Sequence, residues 1–225
     1  MTDDALWYAM PTLVGARARL EPLTFEHATG YLAAAGGPAE AEEIFRWQSP
    51  AGGALSHPVT LADAQAHVAA ALAARARGTR LPYAVIDTTA EEQPPHIQSF
   101  AGTTSFADPD PRLRTVTIGY TWLGRRWWGG GLNAEAKSLM LTYAFETLGA
   151  VRVVLVTDIR NTRAQAAIER LGARKEGVLR KHRRRADGSW RDTVTYALID
   201  DEWPAAKRRL TARLDRPAER QRPPG

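Results

Sequence analysis

The stretch that decides the fold is Arg126-Trp127-Trp128-Gly129-Gly130-Gly131-Leu132-Asn133. Before it, residues 115–122 alternate large apolar side chains with threonine or glycine, and this period of two predicts a strand over 114–123. After it, an apolar stripe at helical spacing predicts a helix over about 130–148. Three glycines at this point allow a tight bend and leave the first N–H groups of the helix open to an anion. The segment therefore predicts a phosphate-binding turn, to which Arg126 adds a positive charge.

Two common phosphate-binding motifs do not fit this turn. No Lys-Ser or Lys-Thr pair follows the glycines, so the turn is not a Walker loop. The dinucleotide fingerprint Gly-x-Gly-x-x-Gly cannot be placed in it either. From the residues alone, the alternative that stays open is a tight glycine turn without a ligand.

The remaining patterns predict one α/β (α+β) domain over residues 1–214, with a mixed central sheet of about seven strands and helices on both faces. Further strands are expected over 17–23, 81–87, 96–106, 151–157, 174–183 and 189–199. Further helices are expected over 24–35, 39–47, 161–171 and 201–214, and Thr60 with Asp63 opens another. Residues 107–111 and 186–189 are expected to form turns. Residues 215–225 are expected to be a disordered tail.

Composition excludes several classes of site. The 225 residues include no cysteine, which rules out disulfides, thiolate metal sites, iron–sulfur clusters and a cysteine nucleophile. The five histidines are scattered without the spacing of a metal motif, so no metal is expected. No stretch approaches the roughly 20 apolar residues of a membrane span, and the acidic N-terminus does not resemble a signal peptide. We therefore expect a cytoplasmic protein without a membrane partner.

Positive charge is concentrated near the C-terminus. The formal net charge is +5, but Arg174–Arg191 alone holds eight Lys or Arg against two acids, a local net charge of +6. Such a patch favours an anionic partner, such as nucleic acid, an acidic protein or a phosphorylated ligand. The alternative is that the patch is a solvated surface produced by an Ala- and Arg-rich composition.

Four motifs in order resemble the GNAT superfamily of acyl-CoA-dependent N-acetyltransferases, and within it the RimJ/RimL type of ribosomal-protein N-terminal acetyltransferases. They are residues 118–123, the Arg-x-x-Gly-x-Gly turn, residues 133–136, and Asn161 with residues 171–173. The opening segment 17–23 and the closing segment 187–196 also look like the RimJ/RimL type, and the resemblance runs from about Gly15 to Trp203. It implies a GNAT-like domain whose central strand pair splays apart, with acetyl-CoA as the cosubstrate.

The resemblance also implies where CoA lies. Its pyrophosphate would rest on the amides of the turn, with Arg126 beside it, and its pantetheine arm would pair with the backbone at the end of the preceding strand. The turn amides are those of Gly129, Gly130, Gly131 and Leu132, and the strand end is Trp122 and Leu123. Asn161 matches a family asparagine that contacts pantetheine, and it also suits a helix N-cap. Asn133 and Arg163 are weaker candidates near the phosphates or the adenine.

The chemistry implied is direct attack of a neutral amine on the thioester carbonyl, polarised by a backbone N–H near Leu123. Many relatives place a serine three residues after the helix asparagine, and others a tyrosine seven after it. Ala164 and Ile168 stand at those positions here and cannot donate a proton. Asp158, Glu26 and Tyr196 are the remaining polar candidates for catalysis. Their structural alternatives are a helix cap, a surface residue and a core residue.

The expected function is transfer of an acetyl group to a primary amine, at the N-terminus of a protein or peptide rather than on a small metabolite. The alternatives are a small-molecule or antibiotic acetyltransferase, and a non-catalytic acyl-CoA-binding module with nucleic acid as a partner. The sequence leaves open whether the protein forms a homodimer. Serine hydrolase chemistry finds no support, because no serine has a Gly-x-Ser-x-Gly context.

Overall fold

The computed structural model describes residues 4–48, 57–89, 97–185 and 187–215. Its strands are β1 (Leu13–Val14), β2 (Ala18–Pro22), β3 (Arg80–Asp87), β4 (Phe100–Asp110), β5 (Thr115–Leu123), β6 (Arg152–Asp158), β7 (Arg174–Arg184) and β8 (Trp190–Ile199). Its α-helices are α1 (Asp4–Tyr8), α2 (Ala28–Ala35), α3 (Pro38–Phe45), α4 (Leu61–Ala76), α5 (Leu132–Thr142), α6 (Thr162–Glu169) and α7 (Trp203–Leu214). The tail expected beyond Asp215, and the expected strand start at His96, lie outside the described residues.

The strands form one mixed sheet in the order β1-β2-β3-β4-β5-β6-β8-β7. Neighbours are antiparallel except β5 and β6, which run parallel because α5 crosses between them. This confirms the predicted mixed sheet. The strand count is eight rather than about seven, because the two residues of β1 pair along β2 at the sheet edge.

The central pair β5 and β6 separates part of the way along. Parallel pairing runs from Thr115–Arg152 to Ile118–Leu155 and then stops. Beyond that point β5 continues beside β4 as far as Leu123, and β6 continues beside β8 as far as Asp158. We call the gap between residues 119–123 and 156–158 the wedge. It confirms the splayed central pair that the resemblance implies.

A β-bulge deforms β5 where it borders the wedge. The register between β4 and β5 shifts between Thr103 and Ser105, because β5 carries one extra residue over Gly119–Thr121. Tyr120 inside this bulge has a φ of +50°, in the left-handed region that bulky residues seldom occupy. The alternation predicted for residues 115–122 therefore ends at the bulge, and Trp122 and Leu123 are both buried.

The turn expected at residues 107–111 is wrong, because β4 extends to Asp110. The chain passes Pro109 through a second irregularity, in which Asp108 has a φ of +48°. The reversal comes later. There the Asp110 carboxylate accepts the N–H groups of Arg112 and Leu113, at 3.0 and 2.9 Å.

Helices pack on both faces of the sheet, as predicted. On one face, Phe106 of β4 meets Tyr143, which follows α5, with ring centres 6.0 Å apart. The neighbouring Ser105 points to the other face, since successive strand residues alternate. There it accepts a 2.8 Å hydrogen bond from Arg80. Tyr31 of α2 packs against Trp122 of β5 with ring centres 4.6 Å apart. No helix within the described residues is both long and apolar enough to span a bilayer.

Candidate functional site

The glycine turn forms an open start to α5. Gly129 and Gly131 have φ values of +78° and +88°, and Gly131 is the N-cap residue of the helix. A Cβ on Gly129 would meet no described atom within 4 Å, and one on Gly130 would meet only the Trp127 carbonyl oxygen at 3.7 Å. The surface above these two glycines is therefore not filled by described side chains. Free N–H groups at the start of a helix suit an anion here.

Trp128 ties the turn to the end of β5. Its indole N–H donates a 2.8 Å hydrogen bond to the Leu123 carbonyl oxygen. Two guanidinium groups lie over its ring, that of Arg163 at 3.3 Å and that of Arg125 at 5.9 Å from the ring centre. Since Arg163 belongs to α6, which follows β6, this contact connects the two sides of the wedge at its open end.

The cations around the turn are only partly neutralised. Arg125 forms an exposed ion pair with Glu43 of α3, while Arg126 is exposed and stacks 3.8 Å from the Trp127 ring centre. Burial and the nearby Arg125 lower the pKa of Arg163, and Glu43 opposes this shift. The structure thus brings predicted Arg126 and Arg163 to the turn, and it adds Arg125, which the sequence did not single out.

The two asparagines have different surroundings. Asn161 caps α6, because its Oδ1 accepts the Ala164 N–H at 3.0 Å. Asn133, in the first turn of α5, has a buried Oδ1 without a hydrogen-bond partner among the described residues. A buried acceptor in this state is costly, and a donor on a ligand would satisfy it.

Asp158, at the end of β6, forms a buried ion pair with Arg185. Arg185 donates to it from Nε at 2.6 Å and from a terminal nitrogen at 2.9 Å, and both side chains are almost completely buried. Burial by itself raises the pKa of Asp158, but the hydrogen bonds from Arg185 and from the Arg160 N–H outweigh it and keep the pKa below its ordinary value. The carboxylate is therefore ionised at neutral pH and has no proton to donate.

Tyr196 and Glu26 lie apart from that ion pair. Tyr196 is buried in β8, and its hydroxyl donates to Glu169 of α6 at 3.0 Å. Burial and this contact raise the pKa of Tyr196 to about 12. Glu26 is exposed in the 3₁₀ turn Phe25–His27 that precedes α2. The structure does not bring these three candidates together.

A buried lysine beneath the bulge was not singled out from the sequence. Lys137 of α5 is 5% exposed, and its ammonium donates to Thr104 Oγ1 at 2.6 Å and to Thr121 Oγ1 at 2.5 Å. A helical signal was available, because Lys137 lies four residues after Asn133 and three before Met140, on the face that packs inward. A charged residue within an apolar stripe marks a position to examine.

The positive patch forms a hairpin at one edge of the sheet, where β8 pairs with β6 on one side and with β7 on the other. We use the name basic hairpin for β7, β8 and their connection. Two of its cations, Arg185 and Arg191, are buried near Asp158 and anchor it. The six exposed ones are Arg174, Lys175, Arg180, Lys181, Arg183 and Arg184. Trp190 is exposed as well, and the Arg184 guanidinium stacks on it at 3.8 Å.

The basic hairpin has a bulge at the place where its positive charges are concentrated. β7 carries two extra residues between Leu179 and Arg183, and Lys181 within this bulge has a φ of +48°. Partial burial, followed by the charges of Arg183 and Arg191, lowers the pKa of His182. The positive charges of Arg183 and Arg191 therefore add to the effect of desolvation in disfavouring a charged His182.

Comparisons with known proteins agree with this architecture. A family model described as an acetyltransferase (GNAT) domain matches residues 17–174. The ribosomal protein uS5-alanine N-acetyltransferase of Escherichia coli (strain K12) is 34% identical over 86 residues, which are 38% of this chain and 43% of that protein. The chain spans between 43% and 58% of the length of the curated relatives it matches.

Two solved structures extend the likeness over most of the chain. A GCN5-related N-acetyltransferase from Brucella melitensis is 28% identical with a TM-score of 0.80, covering 92% of this chain and 86% of that chain. Mycobacterium smegmatis RimJ in complex with CoA-disulfide has the same fold at 22% identity and a TM-score of 0.74, covering 92% and 96% of the two chains. The splayed strand pair, the glycine turn and the match over residues 17–174 together place the chain in the GNAT acetyltransferase family.

Proposed function

We propose that the protein transfers the acetyl group of acetyl-CoA to a primary amine at the N-terminus of a protein or peptide. The observation that supports this most is the wedge between β5 and β6, which opens beside a glycine turn at the start of a helix. A strand edge without a neighbour can pair with the amides of an extended arm, and a helix start can hold a diphosphate.

The residues around the wedge suit CoA in charge and in the backbone groups that they leave accessible. The exposed turn, with two glycines at positive φ, leaves room for a diphosphate near the amides of Gly129–Leu132. Arg126 would add charge, and the unsatisfied Oδ1 of Asn133 could accept a donor of the nucleotide. The Leu123 carbonyl accepts the Trp128 indole N–H, but a carbonyl oxygen can accept a second hydrogen bond, so pantetheine would pair with the wedge-facing backbone of residues 119–123.

The acetyl transfer needs a neutral amine, a polarised carbonyl and a leaving group that accepts a proton. A backbone N–H near the end of β5 would polarise the thioester carbonyl. Asp158 is held ionised by Arg185, and the hydroxyl proton of Tyr196 is donated to Glu169, so neither is poised as an acid. We propose that solvent takes the proton that the attacking nitrogen loses as the C–N bond forms and the C–S bond breaks, and that solvent protonates the departing thiolate, because a thiol with a pKa near 8.5 is a good leaving group.

The basic hairpin supports an acceptor that carries negative charge. Six exposed cations on β7, at the edge of the sheet that contains β6 and β8, would attract acidic residues that follow the acceptor amine, and this attraction would weaken with salt. One relative is named as an acetyltransferase for an alanine of a ribosomal protein, which supports a protein N-terminus as the acceptor. The cytoplasmic location, a homodimer and binding of nucleic acid stay predictions.

Thiol release with acetyl-CoA, followed by mass spectrometry of the acceptor, tests this function. The panel holds peptides with acidic, neutral or basic residues after the N-terminus, the same peptides with a blocked N-terminus and an internal lysine, and small amines including an aminoglycoside. We expect acetylation of unblocked peptides, fastest for the acidic ones. Turnover on small amines alone would favour a small-molecule acetyltransferase. Calorimetric binding of acetyl-CoA without turnover on any amine would favour a non-catalytic module.

A further inference from the structure

Lys137 of α5 is a buried ammonium held by two hydroxyl groups. Its Nζ donates to Thr104 Oγ1 at 2.6 Å and to Thr121 Oγ1 at 2.5 Å, and the two hydroxyl oxygens are 2.9 Å apart. Across the part of the chain that the structure describes, no carboxylate forms an ion pair with this lysine. Burial lowers the pKa of Lys137 to about 7. Its position therefore needs an explanation other than charge pairing.

The bulge above Lys137 is held by side chains. The Gly119 carbonyl accepts the Thr121 hydroxyl at 3.3 Å, and the Tyr120 carbonyl accepts the Thr103 hydroxyl at 3.3 Å. The Thr121 carbonyl accepts the Gln48 side-chain amide at 3.0 Å. Carbonyls in a regular sheet accept from the neighbouring strand instead. The conformation of the bulge thus depends on these side-chain donors.

Lys137 reaches that arrangement through Thr121. The ammonium donates to both hydroxyl oxygens, so both hydroxyl protons point away from it. With Thr104 as the donor of the bond between the two hydroxyls, the Thr121 proton bonds the Gly119 carbonyl. On the opposite face, the Arg80 guanidinium lies 4.1 Å from the Tyr120 ring centre. Two cations from opposite faces therefore hold adjacent residues of the bulge, at the point where β5 leaves β6.

This arrangement costs stability, because an ammonium is buried without a carboxylate and Tyr120 is held in the left-handed region. A methionine would occupy a similar volume without that electrostatic cost. We propose that Lys137 is a positioning residue for acetyl transfer, which acts through Thr121 to hold the bulge in the shape that presents the wedge-facing backbone of β5 to the thioester arm. This inference rests on the proposed function.

Five variants test it. Lys137→Met, Thr121→Val and the double variant with both changes remove the contact, Thr121→Ser keeps the hydroxyl, and Lys207→Met removes a lysine of α7 that pairs with Glu146. Hydrogen exchange of the ligand-free protein, followed by mass spectrometry, reports on residues 119–123. Steady-state kinetics give kcat and KM for acetyl-CoA, and thermal unfolding gives stability.

We expect Lys137→Met to be at least as stable as the wild type, to exchange faster in residues 119–123, and to lose roughly tenfold or more in kcat/KM, as misplaced reacting groups do. Thr121→Val should show the same exchange and kinetic defects, the double variant should add little to either, and Thr121→Ser and Lys207→Met should resemble the wild type. A purely structural role would lower stability and activity together.

Two results would overturn the inference: unchanged exchange in residues 119–123 of Lys137→Met, or a kcat/KM within about twofold of the wild type. An absence of acetyl transfer by the wild-type protein would count against the proposed function instead. In that case the exchange measurement still decides whether Lys137 holds the bulge, since it needs no cofactor.

Discussion

The Arg163 guanidinium lies 3.3 Å from the centre of the Trp128 ring, so the first turn of α6 contacts the glycine turn across the open end of the wedge. The two residues are 35 positions apart and flank β6 on one side and β5 on the other. The same indole donates its N–H to the last carbonyl of β5. One side chain thus fixes the strand end, the turn and α6 relative to each other.

Trp128→Ala should weaken acetyl-CoA binding more than it slows turnover. The change frees the Leu123 carbonyl and removes the surface on which Arg163 rests. We expect KM for acetyl-CoA to rise by roughly tenfold, with a smaller change in kcat, since the lost contacts position the cofactor before reaction. Steady-state kinetics measure both constants. Trp190→Ala, an exposed tryptophan of the basic hairpin, is the control, and an equal rise in KM there would contradict the assignment.

Gly130→Val tests the phosphate site without straining the backbone. A Cβ at this position has room in the fold, and its φ is not positive, but a branched side chain would cover the amides of the turn. We expect calorimetric binding of CoA to fall below detection while the unfolding temperature changes little.

The matched control is Gly177→Val in β7, where a Cβ meets no described atom within 4 Å. It should bind CoA with wild-type affinity. Normal CoA affinity in Gly130→Val would show that the diphosphate does not lie on this turn.

Local patterns predicted the parts of this fold that depend on neighbours in the sequence. The period of two over residues 115–118, the glycines before α5 and the Thr60–Asp63 capping box each specify a conformation within a few residues. The wedge followed from the family resemblance rather than from periodicity. The predicted turn at residues 107–111 failed, because a proline can lie in a bulge where no ladder hydrogen bond is needed.

The rest of the site depends on contacts between distant segments. Lys137 bonds Thr104 and Thr121 across 33 and 16 positions, and Arg185 reaches Asp158 across 27. In the sequence, Arg185 is one more cation of a basic run. In the fold, it is buried in an ion pair with Asp158. Tertiary packing decides these roles, and no local propensity encodes them.

Asp158→Asn should destabilise the protein by about 3–5 kcal/mol, because it leaves the buried Arg185 without its charged partner. Glu176→Gln breaks the exposed pair with Arg152 and should cost less than about 1 kcal/mol. Urea unfolding at neutral pH measures both. Equal costs for the two variants would contradict a special role for the buried pair.

The Asp158 pair also predicts a pH dependence at the acidic end. The folded pKa of Asp158 lies below its unfolded value, so the folded state binds fewer protons and its stabilisation is complete above the unfolded pKa, about 3.9. As pH falls through the lower folded pKa, this stabilisation is lost. The gap in unfolding free energy between the wild type and Asp158→Asn should therefore be constant above about pH 5 and should narrow below about pH 4. A gap that does not change with pH would contradict this account.

The buried Lys137 predicts a pH dependence of stability at the alkaline end, in contrast to the acidic range of Asp158. Its pKa is about 7 in the folded state against an ordinary value of 10.5, so between these values the unfolded chain binds more protons and stability rises with pH. Lys137→Met should be more stable than the wild type at pH 7 and below, and this advantage should shrink towards pH 10. Unfolding by urea at several pH values measures it, with Lys207→Met as the control. A constant difference between Lys137→Met and the wild type would contradict burial of the charged ammonium.

A crystal structure of the protein with CoA would show whether the glycine turn and the wedge hold the cofactor. We expect diphosphate density on the amides of Gly129–Leu132 and the pantetheine arm lying in the wedge, between residues 119–123 of β5 and 156–158 of β6. CoA bound elsewhere, with the wedge empty or closed by pairing of β5 with β6, would contradict this placement.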